Sequence, residues 1–356
     1  MRVVIAPDSF KGSLEADSVA ARIAEGWREV RPDDELVLLP QADGGEGTLD
    51  AIASTGVAEV RTVQVGPPPH RARWLLTADG TAVIELAECC GLPLLGRDHP
   101  LTASTRAVGQ AVVAALDTGA DRIQIAIGGS ASTDGGSGCL IELGLVVLDR
   151  DGRPVDDGGG PLATAATVDA AALRPPPPGG VQLLCDVTAP LFGPAGAAYV
   201  FGPQKGADQD QVDELDRALR HWHTLVGGAA DAPGAGAAGG IAYGLASLWG
   251  AELVSGAVAV AELTGLAAAV ATADAVITGE GSFDSQSSTG KIPGHVLDLA
   301  GDRTKIVIAG RVSVDLPAVT RYALVDLAGS AEASMADPSR WLVDAGRRAA
   351  REVAAG

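Results

Sequence analysis

Residues 2–30, RVVIAPDSFKGSLEADSVAARIAEGWREV, decide the fold. The apolar run from Val3 to Ala6 has strand character, and Val19, Ile23 and Trp27 then recur at the spacing of a buried helix face. Between them lies a short polar turn holding Asp8, Ser9, Lys11 and Ser13. The next stretch repeats the pattern: ELVLLPQAD leads into EGTLDAIAST. Strand, helix, strand, helix at this spacing is the signature of an α/β fold.

The rhythm changes after Gly56. VAEVRTVQVGPPPHRARWLLTADGTAVIELA offers three strand-like pieces, with Asp79-Gly80 as a hairpin turn. A helix near 105–118, the strand RIQIAIGG, a helix beginning near Asp134 and the strand VQLLCDVT follow. From about Asp274 the simple alternation returns through DAVITGEG, KIVIAG, YALVDLAG and a last helix through RWLVDAGRRAAREV. The reading is a discontinuous, Rossmann-like three-layer α/β domain built from residues 1–62 and 259–356, with a second α/β domain inserted at 63–258.

Composition narrows the function. Hydrophobic residues are 47% and charged ones 20% of the 356 residues, which suits a folded chain of two domains. The formal net charge of −19 argues against a nucleic-acid or anionic-membrane partner. An anionic ligand must then be captured by local lysines, backbone N–H groups or a divalent metal. Cys89, Cys90, Cys139 and Cys185 form no C-x-x-C pair, and reduced cytoplasmic thiols are the simplest reading. The longest apolar stretch, SGAVAVAELTGLAAAVATADAVI, is interrupted by Glu262 and Asp274 and reads as helix plus strand, not a membrane span.

Open α/β sheets bind ligands in the crevice outside the carboxyl ends of their strands. Four polar clusters fall at such ends: PDSFKGS, QADGGEGT, GGSASTDGG and TGEGSFDSQSSTGK, with CDVT as a fifth. Each leads into a helix or glycine-rich backbone whose N–H groups suit an anion. Asp8 and Ser9 also suit a helix cap; Ser13 suffices for that role, which leaves Asp8 and Lys11 unexplained. Asp134 has the same double reading, as ligand contact or N-cap. Glu280 and Asp284 are candidate Mg²⁺ ligands or bases, since Mg²⁺ takes one or two carboxylates plus phosphate oxygens.

Two patterns mislead, and a third is incomplete. GAGAAG at 234–239 matches G-x-G-x-x-G but follows a helix and DAP instead of a strand. His221 and His223 lie two apart in a helical stretch and point away from each other, so they make no zinc pair. SSTGK lacks the rest of a P-loop, with Ser285 where the first glycine belongs and Ile292 after Lys291. Serines, lysines and carboxylates without a dedicated nucleophile fit phosphoryl transfer, in which a protein positions reactants and neutralises charge.

In order along the chain, APDSFKGSL, ADGGEGT, GGSASTDGG, CDVTAPLFGPAGAAYVFGPQKGA, PGAGAAGGIAYGL and ITGEGSFDSQSSTGKIPGHV resemble the type 1 glycerate kinase family. The resemblance implies ATP-dependent, Mg²⁺-assisted phosphorylation of D-glycerate, with 2-phosphoglycerate favoured over 3-phosphoglycerate, in a cleft between two α/β domains. Thr133 stands where the family has asparagine, which puts a side-chain amide contact there in doubt. Within that frame Lys11 and Lys291, with Ser9, Gly44 and Gly45, are expected to bind the glycerate carboxylate or the transferring phosphoryl group. Asp186, Glu280 and Asp284 are expected to bind Mg²⁺ or accept the hydroxyl proton. Gln204 and Lys205 are expected on the nucleotide phosphates, and Asp8, Asp43, Glu46, Ser130, Asp134 and Thr289 among the substrate or phosphate contacts. The rivals are a hydroxyacid dehydrogenase and a noncatalytic hydroxyacid-binding protein; monomer and homodimer both stay open.

Overall fold

A parallel five-stranded sheet in the order 320–323, 304–309, 275–278, 2–5, 35–38 joins the two ends of the chain. The computed structural model describes residues 1–285, 287 and 291–355. Successive side chains of a strand point to opposite faces. Val3, Ile5, Ala275 and Ile277 therefore pack on one face, against the helices Ala16–Arg28 and Pro338–Ala355. Val4 and Val276 pack on the other, against residues of 257–273 and the helix Ile292–Ala300. Two helical layers enclosing one sheet make this part three-layered, and burial on both faces explains why its strands read as continuous apolar runs.

The helix expected from Val19, Ile23 and Trp27 spans Ala16–Arg28, and all three side chains are fully buried. Its close approach to the last helix depends on two glycines. A Cβ on Gly26 would lie 1.9 Å from the Val343 carbonyl oxygen, and one on Gly346 would lie 2.3 Å from that of Ile23. Ser13 does not cap this helix, contrary to expectation: the N-cap is Glu15, whose side chain makes no cap hydrogen bond, and the Ser13 hydroxyl donates to the Phe10 carbonyl at 2.9 Å. The tight turn Phe10–Leu14, closed by mutual backbone bonds of 2.8 and 3.1 Å, uses the serine instead.

The chain divides into two compact units: 1–43, 50–57 and 257–356 form the first, and 44–49 with 58–256 the second. The first break falls ahead of residue 62 because the strand Ala58–Val65 pairs over its whole length with His70–Thr77. In the second unit a six-stranded sheet runs 252–254, 181–184, 122–126, 81–85, 70–77, 58–65. Its first four strands are parallel and the last two antiparallel, joined to the rest through the Asp79-Gly80 turn, where Gly80 has φ +83°. Its core centres on Ile84, Ile123, Ile125 and Leu183, with Trp222 and Tyr243 among the largest buried side chains. No described helix is long and apolar enough to cross a membrane.

Candidate active site

In the first unit, the loops after strands 2–5 and 275–278 meet at the carboxyl end of the sheet. The backbone fixes them: Ala6 N–H donates to the Ile277 carbonyl and Asp8 N–H to the Gly279 carbonyl, both at 2.8 Å. Beyond Glu280 and Gly281, Ser282–Phe283 pair in parallel with Arg311–Val312, and Phe283 is fully buried against Val307 and Ala309. That small ladder anchors Glu280 and Asp284 on either side of it. The result is a cavity of about 450 Å³ lined by Asp8, Ser9, Lys11, Asp43, Glu280, Asp284 and Lys291, together with an apolar side. Seven of the expected residues, separated by up to most of the chain, thus line one space.

Its electrostatics are uneven. Burial, reinforced by the neighbouring carboxylate of Asp43, pushes Asp8 up to about 7, while the Ser9 amide and Lys11 oppose the shift. The Ser9 N–H donates to Asp8 Oδ1 at 2.6 Å. Burial also raises Glu280, with Asp284 adding to it and Ser287, Lys291 and Lys11 opposing. Glu280 Oε1 is buried and, among the described residues, accepts no hydrogen bond. Lys11 stands at the tip of its turn, its side chain 80% exposed and Nζ 3.8 Å from Asp43 Oδ2. At that exposure the ion pair contributes little stability, so the lysine is available to a ligand.

The donor set suits a divalent cation of the Mg²⁺ kind. No group of three or more metal-ligating side chains occurs among the described residues, but Mg²⁺ bound with substrate phosphates needs only one or two carboxylates. Glu280, with its unmatched buried oxygen, and Asp284 are two carboxylates in this cavity that could serve. Ser287 holds Asp284: the Asp284 N–H donates to Ser287 Oγ at 3.0 Å, and the Ser287 N–H donates back to Asp284 Oδ1 at 3.3 Å. Ser287 was not among the expected residues, although Asp-x-x-Ser is the spacing of such a local turn. Thr289 lies outside the described residues.

The remaining expected residues belong to the second unit. There the segment Gly44–Leu49 docks on the carboxyl ends of strands 81–85, 122–126 and 181–184. Glu85, only 3% exposed, accepts from Gly47 N–H at 3.1 Å and from Leu49 N–H at 3.0 Å. Gly128 N–H donates to the Gly44 carbonyl at 3.0 Å, and a Cβ on Gly128 would lie 2.5 Å from the Gly45 Cα. Backbone therefore packs on backbone, which only glycine permits. A carboxylate closing an otherwise apolar strand, AVIELA, was the signal for Glu85.

Asp134 and Lys205 are interior side chains. Asp134 is fully buried, and its carboxylate accepts from Thr105 N–H and Oγ1 at 2.8 Å each, from Gly136 N–H at 3.1 Å and from Gly138 N–H at 3.2 Å. It ties the Gly128–Asp134 loop to two helix starts and is not open to a ligand. Lys205, 3% exposed, donates through Nζ to Ser130 Oγ at 2.9 Å and to the Ser132 carbonyl at 2.6 Å. Burial pushes it down to about 8, with Asp134 and Cys90 opposing. It braces the same loop through these two bonds. Ser130 is 6% exposed between these anchors. Asp186 and Gln204 are exposed, and Glu46 lines a separate cavity of about 410 Å³ beside His70, Arg71 and Glu88.

The two misleading motifs have structural roles. In GAGAAG, a Cβ on Gly239 would lie 2.1 Å from the Ser132 carbonyl oxygen, so its glycines serve close packing against the Gly128–Asp134 loop. His221 Nε2 bonds to the Ala165 carbonyl at 2.7 Å and His223 Nδ1 to the Tyr243 hydroxyl at 3.0 Å, which takes the two rings apart.

Comparison with known proteins agrees with this chemistry. The model of the glycerate kinase family matches residues 3–354. A glycerate 2-kinase of Escherichia coli (strain K12) is 42% identical over 338 residues, which are 91% of this chain and 89% of that protein. A glycerate kinase of Bacillus subtilis (strain 168) is likewise 42% identical, over 91% of this chain and 88% of its own. A crystal structure of a Salmonella typhimurium LT2 protein assigned as a glycerate kinase 2 superposes with a TM-score of 0.84 at 38% identity, covering 100% of this chain and 99% of the other. A family match over nearly the whole length, with carboxylates and lysines converging at the strand ends, leads to one conclusion: the chain belongs to the glycerate kinase family.

Proposed function

We propose that the protein transfers the γ-phosphoryl group of ATP to D-glycerate, with Mg²⁺, giving 2-phosphoglycerate and ADP. The observation that carries this reading is the single cavity in which Lys11 and Lys291 face Asp8, Asp43, Glu280 and Asp284. Lysines there bind anions that the net charge of −19 would otherwise repel. Family membership supplies the substrate class, and the Escherichia coli relative, a glycerate 2-kinase, favours the 2-phospho product.

The step is an in-line displacement. The glycerate hydroxyl oxygen forms a bond to the γ-phosphorus as the bond to the ADP oxygen breaks, and ADP leaves with that electron pair. The hydroxyl proton goes to a carboxylate. Asp8 suits this best, because a base is most effective when its pKa lies near the working pH and burial has brought Asp8 to about 7. Glu280 and Asp284 are the residues that would hold Mg²⁺, which when bound neutralises charge on the phosphate oxygens. Lys11 and Lys291 orient the carboxylate and the moving phosphoryl group. Asp134 and Lys205 act by holding the Gly128–Asp134 loop, and Asp186 and Gln204 are exposed in the second unit. ATP as co-substrate fits a cytoplasmic enzyme.

The test is ADP release from ATP and Mg²⁺ with and without D-glycerate, in the wild type and in Lys11→Ala and Asp284→Asn. Release that depends on D-glycerate and falls sharply in both variants is expected. Release independent of D-glycerate, or unchanged in both variants, sinks the reading.

A further inference from the structure

The cavity of the first unit has two unlike sides. Lys11, Lys291, Glu280 and Asp284 make the charged side; the other is built by Leu324, Met335 and Pro338, and residues 324–338 bring no charged side chain to the lining. A cavity of about 450 Å³ lies within the range of about 300–1,000 Å³ that takes a drug-sized ligand. A three-carbon hydroxyacid fills a minor part of it and has no use for an apolar wall.

Met335 draws attention to that wall. It is 72% exposed, whereas the next most exposed large hydrophobic side chain among the described residues, Val60, is 51% exposed. Apart from Met1 it is the only methionine in the sequence. A single exposed apolar side chain is ordinary, but one that borders a cavity gains by being covered when a ligand fills it. The thioether is flexible and polarisable, and favours contact with aromatic rings. An aromatic ring joined to a polyanion matches both sides of the cavity at once.

Building on the kinase reading, we infer that this wall is the nucleobase subsite: the adenine ring of ATP packs on Met335 and Pro338, and its phosphates run toward Lys11 and Lys291. The nucleotide then binds the first unit, and the buried Lys205 of the second takes no part in holding it.

The experiment compares wild type, Met335→Ser and Met335→Leu as full-length proteins. Isothermal titration with ADP and Mg²⁺ gives nucleotide affinity, steady-state kinetics gives KM for ATP and for D-glycerate, and inorganic tripolyphosphate serves as a competitor that carries phosphates but no base. Met335→Ser is expected to weaken ADP and raise KM for ATP by about tenfold. Its tripolyphosphate inhibition and KM for D-glycerate are expected to stay at wild-type values, and Met335→Leu to restore most of the nucleotide affinity. Unchanged ADP affinity in Met335→Ser overturns the inference, as does an equal loss for tripolyphosphate. If the wild type makes no ADP with D-glycerate yet Met335→Ser still weakens ADP selectively, the kinase reading falls and the base subsite stands.

Discussion

Replacing Asp8 by asparagine should stabilise the fold while removing activity. The folded protein keeps the Asp8 carboxyl protonated up to about pH 7, against 3.8 for an ordinary aspartate. Between these values the folded state binds more protons than the unfolded state, so stability falls as pH rises, and above about 7 the ionised carboxylate exerts its full destabilising effect. Each tenfold change in proton affinity is about 1.4 kcal/mol, which sets an upper bound of about 4 kcal/mol. Asp8 is only partly buried by surface area, and solvent reduces that to about 2 kcal/mol. Asparagine keeps an oxygen for the Ser9 amide and carries no charge. Thermal unfolding of the first unit should therefore rise by about 4–8 °C in Asp8→Asn at pH 8, with the advantage shrinking toward pH 5. Turnover should fall by about 10²–10⁴ if Asp8 is the proton acceptor. An Asp8→Asn protein that is no more stable at pH 8, or whose advantage does not vary with pH, would refute the reasoning.

Two further substitutions address the other buried groups. In Lys205→Met the variant should lose a pH dependence that the wild type has: the folded site releases its proton near 8 and the unfolded chain near 10.5, so wild-type stability measured by urea unfolding should climb relative to the variant by up to about 3 kcal/mol between those values. Parallel curves would show that Lys205 titrates as an ordinary lysine. Glu280→Gln should raise the Mg²⁺ concentration for half-maximal velocity by at least about tenfold; an unchanged Mg²⁺ titration would remove Glu280 from the cation site.

Much of this site was legible because its residues sit in local patterns. The strand at 2–5 and the helix at 16–28 follow from apolar spacing, and a polar cluster at the end of each parallel strand marks where a ligand belongs. What spacing does not carry is burial. Lys205 follows Gly-Pro-Gln and resembles a surface lysine, and only its bonds to Ser130 and Ser132, more than 70 positions away, show it to be interior. Asp134 was ambiguous in sequence because one side chain suits both a cap and a ligand contact, and its bonds to Thr105, Gly136 and Gly138 show its anchoring role. Ser13 illustrates the reverse: a good capping residue is used elsewhere when a tighter turn competes for it. Met335, an isolated methionine in a helical stretch, has no local signal at all; its meaning depends on the cavity it borders.

The central claim is most directly tested by phosphorus NMR of the product formed from ATP, Mg²⁺ and D-glycerate. Phosphorus on the secondary carbon couples to one proton, so a new phosphate-ester doublet, growing in step with ADP, is the predicted result. A spectrum that gains only inorganic phosphate and ADP, or nothing, would contradict the account, and a triplet would move the phosphoryl group to the primary hydroxyl.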